Sequence, residues 1–340
     1  MPQTQIFGSR DVERKIVAIL EALDGESEAL GSTAIARRLK ESGIDLSERA
    51  VRYHLKLLDE RGLTEPAGRD GRLITPQGRE ELRNALVADK IGFVINKIEE
   101  LAYQTTFDWT KCSGALPVNI TLFPKKEFRR CLQLMKPAMD AGLSLSNRVG
   151  VAGEGERLGN MVVPEGTVGL ATMCSLVVNG CLLKAGIPMD SKFGGILQVR
   201  RHKPLRFVEL IYYSGSSLDP SVAFIQARMT DVQGVVRDGN GKVLANFREM
   251  PSAAKLLAEE VVQDLKRCGI GGVMVVGEGN EPVCEVPVGP NRIGMVLLGG
   301  LTPVAVVHEA GIELDNRAMG GVADYEQLVS FEEVLKRFSA

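Results

Sequence analysis

The sequence predicts a two-part protein: an N-terminal winged helix-turn-helix followed by a duplicated α/β domain with mixed sheets. Three observations support this fold class. Residues 10–83 contain three short amphipathic helical patterns and then a basic hairpin signal, apolar strand-like runs alternate with helical stretches from residue 115 onward, and several short motifs recur about 125 residues apart. The predicted parts are a winged helix over residues 1–85, a helical linker over 86–112, and a larger domain over 113–338 with halves at about 115–240 and 241–338.

The first two helices are indicated by apolar residues at helical spacing behind a capping serine. Ser9 precedes a run whose apolar residues recur every three or four positions up to Leu23, and Gly25 ends it. Ser32 opens a second, shorter helix that ends at Gly43. Short helices joined by tight turns are typical of a helix-turn-helix.

The third helix is the basis of the DNA-binding prediction. Ser47 is expected to cap it, and the apolar residues Val51, Leu55 and Leu58 fall on one face. The opposite face carries Arg49, Arg52, Tyr53 and Lys56. An amphipathic helix with three cations and an aromatic ring on its outer face suits insertion into a DNA major groove.

A basic hairpin follows this helix. Asp70-Gly71 between two extended segments is a turn signal, and Arg69 and Arg72 flank it. We interpret the hairpin as the wing, whose arginines grip phosphate or the minor groove, and the segment from Pro76 as a closing helix. Because winged helices also serve as protein-interaction modules, a corepressor that acts mainly through protein contacts is an alternative.

The overall composition is that of a globular protein without a membrane anchor. The net charge is −2, so any DNA contact must come from a local basic patch. No apolar run is long enough to cross a bilayer and the polar N-terminus is unlike a signal peptide, so we expect a cytoplasmic protein. The six cysteines form no Cys-x-x-Cys pair and are expected to be reduced and mostly buried. The three histidines lack metal-ligand spacing, so no metal site is predicted.

From residue 115 the chain alternates predicted strands and helices. Strands are predicted over residues 116–123, 149–152, 167–173, 196–200 and 205–213, and helices over 128–142 and 179–186. Asp238-Gly239-Asn240-Gly241 is interpreted as a hairpin turn between strands at 232–236 and 242–247. Pro251 is interpreted as the first residue of a helix that runs to Gly269. This pattern favours an α/β domain with mixed strand pairing.

The larger domain also repeats itself. Gly153-Glu154-Gly155 recurs as Gly277-Glu278-Gly279, and Ala185-Gly186-Ile187 recurs as Ala310-Gly311-Ile312, at offsets of 124 and 125 residues. The Gly-Glu-Gly loops lack the third glycine of a dinucleotide fingerprint, which favours tight turns over phosphate binding. Two packed copies of one unit leave a cleft in which a small ligand is expected to bind.

Several stretches resemble the NrpR family of nitrogen regulators. They are VVNGCLLKAGIPMDSKFGGILQV, PLRFVELIYYSGSSLDPSVAFI, ANFREMPSAA and GMVLLGGLTPVAVVHEAGIELDNRAMGG. The resemblance covers essentially the whole chain, as one winged helix and one regulatory domain. Since some members carry two regulatory domains in one chain, it implies a homodimer here. It also implies a repressor of nitrogen-assimilation or nitrogen-fixation operons, released from operator DNA by 2-oxoglutarate.

A dicarboxylate effector requires cations and polar donors within a cleft. The candidate effector-binding residues are Ser175, Asn179, Lys184, Lys192, Gly194, Gly195, Arg200, Arg206 and Arg248. No cofactor is expected. An α/β enzyme is a second alternative, but the sequence has no nucleophile elbow, P-loop, HExxH motif or paired Cys/His cluster, and His308-Glu309 is an isolated pair. No catalytic residue is therefore assigned.

Overall fold

Two compact units make up the chain, Met1–Lys90 and Ile91–Ala340. The computed structural model describes residues 10–24, 29–41, 44–68, 71–84 and 92–338. Each unit has its own apolar core. Within the described ranges, no helix combines the length and apolar character that a membrane span requires.

The first unit is a three-helix bundle with a two-stranded ribbon. Its elements are α1 Arg10–Asp24, α2 Ser32–Glu41, α3 Glu48–Glu60, β1 Thr64–Pro66, β2 Arg72–Ile74 and α4 Pro76–Asn84. β1 and β2 pair antiparallel, and Leu30 bridges to Arg72 as a short third strand. Ile19, Ile35 and Leu58 come from the three helices and are fully buried together. The predicted winged helix is thereby confirmed.

The second unit contains eight further helices and twelve strands in its described residues. The helices are α5 Phe93–Gln104, α6 Phe128–Asp140, α7 Leu176–Lys184, α8 Pro220–Gln226, α9 Val232–Asp238, α10 Lys255–Arg267, α11 Thr302–Glu309 and α12 Phe331–Arg337. The strands are β3 Ala115–Pro124, β4 Arg148–Ala152, β5 Arg157–Leu158, β6 Met161–Val162, β7 Thr167–Met173, β8 Asp190–Arg200, β9 Lys203–Tyr212, β10 Gly241–Pro251, β11 Val273–Val276, β12 Arg292–Leu298, β13 Asp315–Asp324 and β14 Val329–Ser330.

Two copies of a βαββαβ unit form the centre of this second unit. The first copy is β3-α6-β4-β7-α7-β8, with the small β5-β6 hairpin inserted, and the second is β10-α10-β11-β12-α11-β13. In each copy the third strand lies between the first two and pairs antiparallel with both. This is a split β-α-β arrangement. The duplication predicted from the recurring motifs is confirmed.

The two copies exchange their last strands. β8 pairs with β10, where Ser191 lies opposite Arg248, and β13 pairs with β3, where Asn316 lies opposite Thr121. The resulting sheets have the orders β11-β12-β10-β8-β9 and β13-β3-β7-β4-β14. The sequence predicted mixed strand pairing, but all the described ladders of these sheets are antiparallel. Strands that run in the same direction are never direct neighbours, because an antiparallel strand always separates them.

The apolar cores are shared between the copies for the same reason. One cluster combines α6 of the first copy with α11 of the second, through residues such as Leu132 and Val304. The other combines α7 with α10, through residues such as Val178 and Val261. Since each cluster draws on both copies, neither copy has a complete core alone.

α5, the helix predicted to link the two parts, packs onto this shared core. Its residues Val94, Ile98 and Leu101 are buried against Leu176 and Met319. Thr105 caps the C-terminal end of the helix, and its hydroxyl donates to the Leu101 carbonyl at 2.9 Å. α5 therefore belongs to the packing of the second unit.

Two element predictions near the centre of the chain are wrong. Residues 232–236 are helical within α9 rather than a strand, because the Asp231 carboxylate accepts from the N–H of Gly234 at 3.0 Å and Glu309 accepts from the N–H of Val232 at 2.8 Å. Glu309 is a distant cap that local sequence cannot reveal. Pro251 ends β10 rather than beginning a helix, and α10 starts only at Lys255 after a 3-10 turn.

The prediction that all cysteines are reduced is wrong for one pair. Cys112 and Cys268 form a disulfide that joins positions 156 residues apart, with Cα atoms separated by 5.3 Å. The partners meet because the loop before β3 folds against the end of α10, a contact that spacing along the chain does not show. The other four cysteines are free, and Cys131, Cys174 and Cys181 are buried as predicted.

Removing the disulfide should lower stability substantially. We expect Cys112→Ser/Cys268→Ser to reduce the free energy of unfolding by about 2–5 kcal/mol, because a long loop of the unfolded chain is no longer closed. Urea denaturation without reductant measures this. Reductant should lower the stability of the parent protein to that of the variant and leave the variant unchanged. An equally stable variant would contradict the expectation.

Candidate functional site

The outer face of α3 presents the side chains predicted to read DNA. Ser47 caps the helix by accepting from the backbone N–H of Ala50 at 3.3 Å. The exposed side chains on this face are Arg49, Arg52, Tyr53 and Lys56. Arg52 lies 3.6 Å from the carboxylate of Glu48. Exposed ion pairs of this kind contribute little, so the guanidinium can exchange Glu48 for a phosphate at small cost.

Arg72 is engaged inside the winged helix. Its Nε donates to Asp59 Oδ2 at 2.8 Å, while the Thr64 hydroxyl donates to Asp59 Oδ1 at 2.6 Å. These bonds attach the ribbon to the last turn of α3, which fixes the orientation of that helix. Arg72 therefore braces the helix, and its charge is partly neutralised by Asp59. Arg69, the other predicted wing contact, lies outside the described residues.

A small pocket lies where the two repeats meet, and equivalent residues of both repeats line it. Asn119 of β3 and Asn246 of β10 are equivalent, since each stands five residues before the proline that ends its strand. Ser175 before α7 and Gly300 before α11 are also equivalent. The pocket is lined by Ile98, Asn119, Cys174, Ser175, Leu176, Tyr213, Asp219, Ser221, Asn246, Arg248, Gly300, Leu301, Ala318 and Met319.

Arg248 brings a positive charge into this pocket. It is only 1% exposed, and its Nη2 donates to Ser175 Oγ at 3.2 Å. Its Nε and Nη1 find no hydrogen-bond partner in the part of the chain that the structure describes. The equivalent residue of the first repeat is Thr121, which donates to Asn316 at 3.0 Å. The charge thus breaks the symmetry of the two repeats.

The free nitrogens make this pocket a candidate anion site. Burial lowers the pKa of Arg248, but a guanidinium keeps its proton in proteins. A buried charge is costly unless it is paired and hydrogen-bonded. Perturbed charged groups in clefts cluster at functional sites. A carboxylate that occupied the pocket could pair with Nη2 and one of these two nitrogens in the bidentate geometry that guanidinium favours.

Neutral polar groups surround the guanidinium. The Tyr213 hydroxyl donates to Asn246 Oδ1 at 2.5 Å, and Asn246 Nδ2 donates to Ser175 Oγ at 3.0 Å. Because Ser175 Oγ already accepts from Asn246 and Arg248, its own proton is left to donate. Burial raises the pKa of the Tyr213 phenol and raises that of Cys174 to about 11, so both stay neutral.

Asp219 and Lys97 add opposite charges on the side of α5. The Asp219 carboxylate caps α8 by accepting from the N–H of Ser221 at 2.8 Å and of Val222 at 3.2 Å. Burial raises the pKa of Asp219 and lowers that of Lys97, and each charge partly offsets the other. Among the described residues, Asp219 makes no salt bridge with Arg248, so the guanidinium keeps its unmatched charge.

A second cavity, of about 330 Å³, shares Ile98 with the pocket and includes the predicted residue Asn179. Asn179 Nδ2 donates to Ser191 Oγ at 3.0 Å, and its Oδ1 is buried with no partner among the described residues. Ser191 lies opposite Arg248 in the β8–β10 ladder. The two cavities are therefore neighbours beneath α5.

Four predicted effector contacts lie elsewhere or are already paired. Lys192 lies 2.6 Å from Asp190 and 3.5 Å from Glu249. Lys184 and Arg200 are exposed, and the exposed Arg206 donates to Gln198 at 3.1 Å. The structure thus brings together Ser175 and Arg248, with Asn179 adjacent, but does not gather these other cations around them.

The two predicted glycines allow close packing rather than ligand contact. A Cβ on Gly194 would lie 2.8 Å from Pro220 and 3.1 Å from the Tyr213 hydroxyl. A Cβ on Gly195 would lie 2.6 Å from the carbonyl oxygen of Glu209. Gly194 consequently helps to position Tyr213, since any larger residue would push the ring from its place beside Asn246.

Sequence reasoning missed most of the pocket residues, among them the polar Asn119, Asn246, Tyr213 and Asp219. The two asparagines carried a usable signal, because each precedes a strand-ending proline by five residues in equivalent parts of the repeat. Tyr213 and Asp219 lie in the segment between the repeats, which has no counterpart to compare with. Only the folded structure brings that segment to the pocket.

The two units define a class of protein: a winged helix followed in the chain by a duplicated α/β domain, as in transcription regulators. Residues 91–330 match the family described as NrpR regulatory domains NRD1 and 2. Residues 17–82 match the family described as the ribonuclease R winged-helix domain. The chain therefore belongs to the NrpR family of nitrogen regulators.

Named relatives agree with this assignment. The chain is 38% identical to the global nitrogen regulator NrpRI of Methanosarcina mazei over 93% of its own length and 98% of that protein. It is 35% identical to the global nitrogen regulator NrpR of Methanococcus maripaludis, spanning 95% of its own length but 56% of that relative. These names indicate a non-enzymatic transcription regulator, as the sequence predicted.

A solved structure supports the fold of the second unit. The crystal structure of a nitrogen repressor-like protein from Methanococcus jannaschii is similar with a TM-score of 0.59 at 28% sequence identity. The similarity covers 70% of this chain and 98% of that one.

Neutralising Arg248 should not harm the fold. We expect Arg248→Met to leave the free energy of unfolding unchanged or to raise it by up to about 2 kcal/mol, because it removes an unmatched buried charge and keeps the side-chain volume. Urea denaturation measures the change. Phe247→Ala, the neighbouring buried position, is the control and should lose about 3–5 kcal/mol. A comparable loss in Arg248→Met would mean that the guanidinium holds the fold together.

Proposed function

We propose that this protein is a homodimeric transcriptional repressor of nitrogen-related genes that releases operator DNA when a small dicarboxylate, 2-oxoglutarate, binds the Arg248 pocket. The observation that carries the proposal is the buried guanidinium with two unsatisfied nitrogens in a pocket formed by both repeats. The names of the relatives support the nitrogen signal. The resemblance to the NrpR family supports the choice of 2-oxoglutarate.

The pocket chemistry suits one carboxylate directly. Nη2 and one of the two unpartnered nitrogens of Arg248 can donate to it together, and Ser175 offers its remaining hydroxyl proton. Charge-assisted hydrogen bonds of this type are stronger than those between neutral groups. We place the second carboxylate of the ligand in the neighbouring cavity, where it would have to accept from Asn179 Nδ2 and the Ser191 hydroxyl, because Glu99 and Asp190 also line that cavity and no cation among the described residues does. A diacid, rather than a monoacid, would then be the preferred ligand.

The size of the pocket suggests how binding is coupled to movement. In the present conformation it encloses about 20 Å³, which is room for roughly one water molecule. A five-carbon diacid therefore requires the pocket to open. Ile98 of α5 lines both cavities, so α5 is the element that an entering ligand displaces.

α5 is also the first helix of the second unit in the part of the chain that the structure describes. We propose that the ligand favours a conformation in which α5 has shifted and in which two winged helices no longer match two operator half-sites. The ligand can weaken DNA binding only by the ratio of its affinities for the two conformations. DNA reciprocally weakens ligand binding by the same factor.

The α3 face should account for DNA affinity. We expect Arg52→Ala/Lys56→Ala to weaken binding to the native promoter at least about tenfold and to reduce the slope of log affinity against log salt by about 2, if both cations contact phosphate. Fluorescence anisotropy over a salt series measures both quantities. Arg129→Ala, an exposed arginine of α6, is the control and should change neither. Unchanged DNA binding in the double variant would favour the corepressor that acts through protein contacts.

The Arg248 pocket should account for ligand control. We expect Arg248→Met to abolish 2-oxoglutarate binding in calorimetry and Ser175→Ala to weaken it about tenfold, as is usual for a lost hydrogen bond to a charged group. Lys184→Ala is the control and should bind normally. Arg248→Met should still bind DNA, but the ligand should no longer release it. Normal ligand binding by Arg248→Met would place the effector elsewhere, and no binding by the parent protein would point to another effector.

A further inference from the structure

The four outer edges of the two sheets are not equally protected. Edge strands are usually shielded from other chains by short length, bulges or charges. β14 is only two residues long, β9 has two register shifts and carries Lys203, Arg206 and Glu209, and β13 has a register shift and carries Asp315, Arg317 and Asp324. β11, Val273–Val276, has one register shift but no charged residue. Of the three longer edge strands it alone carries no charged residue, whereas the longer β9 exposes Leu205, Val208, Leu210 and Tyr212 beside its charges.

The equivalent edge in the other repeat shows what such a strand needs. β4 corresponds to β11, and β14 covers it through the pairs Val149↔Val329 and Arg148↔Ser330. α12 then continues from β14 and buries Phe331 and Val334. Within the described chain β11 pairs with β12 alone. The second repeat therefore lacks the cover that the chain supplies to the first.

The helix beside β11 is apolar where its counterpart is charged. Leu256 and Leu257 of α10 are 75% and 44% exposed. At the same offset that relates Asn119 to Asn246, the first repeat has the exposed residues Arg129 and Arg130. Exposed leucines side by side on one helix are unusual for a surface that faces only water. Together with β11, Leu256 borders an open groove of about 780 Å³.

The charges on α10 are arranged so that the helix complements itself. Along one face its exposed residues change from Glu260 through the uncharged Gln263 to Lys266, in steps of three residues, while the neighbouring exposed Arg267 is paired with Asp264. Residues three apart on a helix share one face. If two copies of α10 lie antiparallel around Gln263, Glu260 of one faces Lys266 of the other, twice. Neither side chain has an ion pair elsewhere in the described residues, so both are available for this pairing.

We infer that the face formed by β11 and by Leu256, Glu260, Gln263 and Lys266 of α10 is the surface through which two copies of this chain associate. The two β11 strands would pair edge to edge around a twofold axis and the two α10 helices would pack antiparallel on the same side of the joined sheet. A second copy is favoured over an unrelated peptide because the charge pattern is self-complementary under a twofold axis. The inference rests on the proposed function in one respect, since it supplies the dimer that repression at two half-sites requires.

A charge-exchange cycle in the full-length protein tests the antiparallel helix pairing. Sedimentation equilibrium should show a dimer for the parent protein. Glu260→Lys and Lys266→Glu should each raise the dimer dissociation constant at least about tenfold, because like charges then meet at two places. The double variant Glu260→Lys/Lys266→Glu should restore it to within about threefold of the parent value. Failure of the double variant to recover while both single variants are folded would overturn the helix register.

Two further variants test the face itself. Leu256→Glu and Val275→Lys should each shift the protein towards monomer, whereas Arg129→Glu, the counterpart of Leu256 in the first repeat, should not. Circular dichroism and 2-oxoglutarate calorimetry serve as folding controls, because both report on the single chain. A monomeric parent protein, or a dimer that Leu256→Glu and Val275→Lys leave intact, would overturn the inference.

The same variants separate this inference from the proposed function. If dimers depend on the β11–α10 face but the parent protein binds neither DNA nor ligand, the surface stands and the regulatory proposal fails. If DNA and ligand bind as proposed while these variants stay dimeric, the regulatory proposal stands and the dimer forms elsewhere.

Discussion

The exchange of last strands between the two repeats determines the rest of the second unit. Because β8 leaves the first copy to pair with β10, and β13 leaves the second copy to pair with β3, neither sheet is complete without both copies. The helices follow their strands, so each apolar cluster contains helices of both copies. The strand exchange therefore also places a pocket between the two copies. It lies at the place where the two halves cannot separate without breaking both sheets.

The features on which our proposals rest lie where the two copies differ. Asn119 is equivalent to Asn246 and Ser175 is equivalent to Gly300, so equivalent positions of the two repeats line the pocket. Arg248 stands where the first repeat has Thr121, and it adds a buried charge that Thr121 lacks. The same comparison exposes the second difference, since the chain covers β4 with β14 and leaves β11 open within the described residues. A duplicated domain allows this comparison, because each copy shows the common fold without the features that are specific to the other copy.

Much of the architecture was predictable because it depends on local patterns. The spacing of Val51, Leu55 and Leu58 predicted the buried face of α3, and recurring motifs predicted the duplication. The errors arose where distant residues decide local structure. Glu309 caps the helix at residues 232–238 from another part of the chain, and Cys268 reaches Cys112 across 156 residues. In the candidate site, the sequence predicts the buried residues Arg248 and Ser175. It also predicts Lys184, Arg200 and Arg206 on the basis of charge alone, and these three lie apart from the pocket.

In the proposed mechanism, the energy scale of the Arg248 pocket limits what a single carboxylate can achieve. Moving a two-state protein from about 1% to about 99% of one conformation requires a difference in binding free energy of about 5.5 kcal/mol. Pairing one buried guanidinium with one carboxylate supplies roughly 2–5 kcal/mol by analogy with broken buried charge pairs, and opening α5 over Val94, Ile98 and Leu101 offsets part of that gain. A single carboxylate therefore falls short of a complete switch. In the proposed mechanism the difference must come from a second carboxylate bound by Asn179 and Ser191, and a monoacid of similar length would bind weakly without releasing DNA.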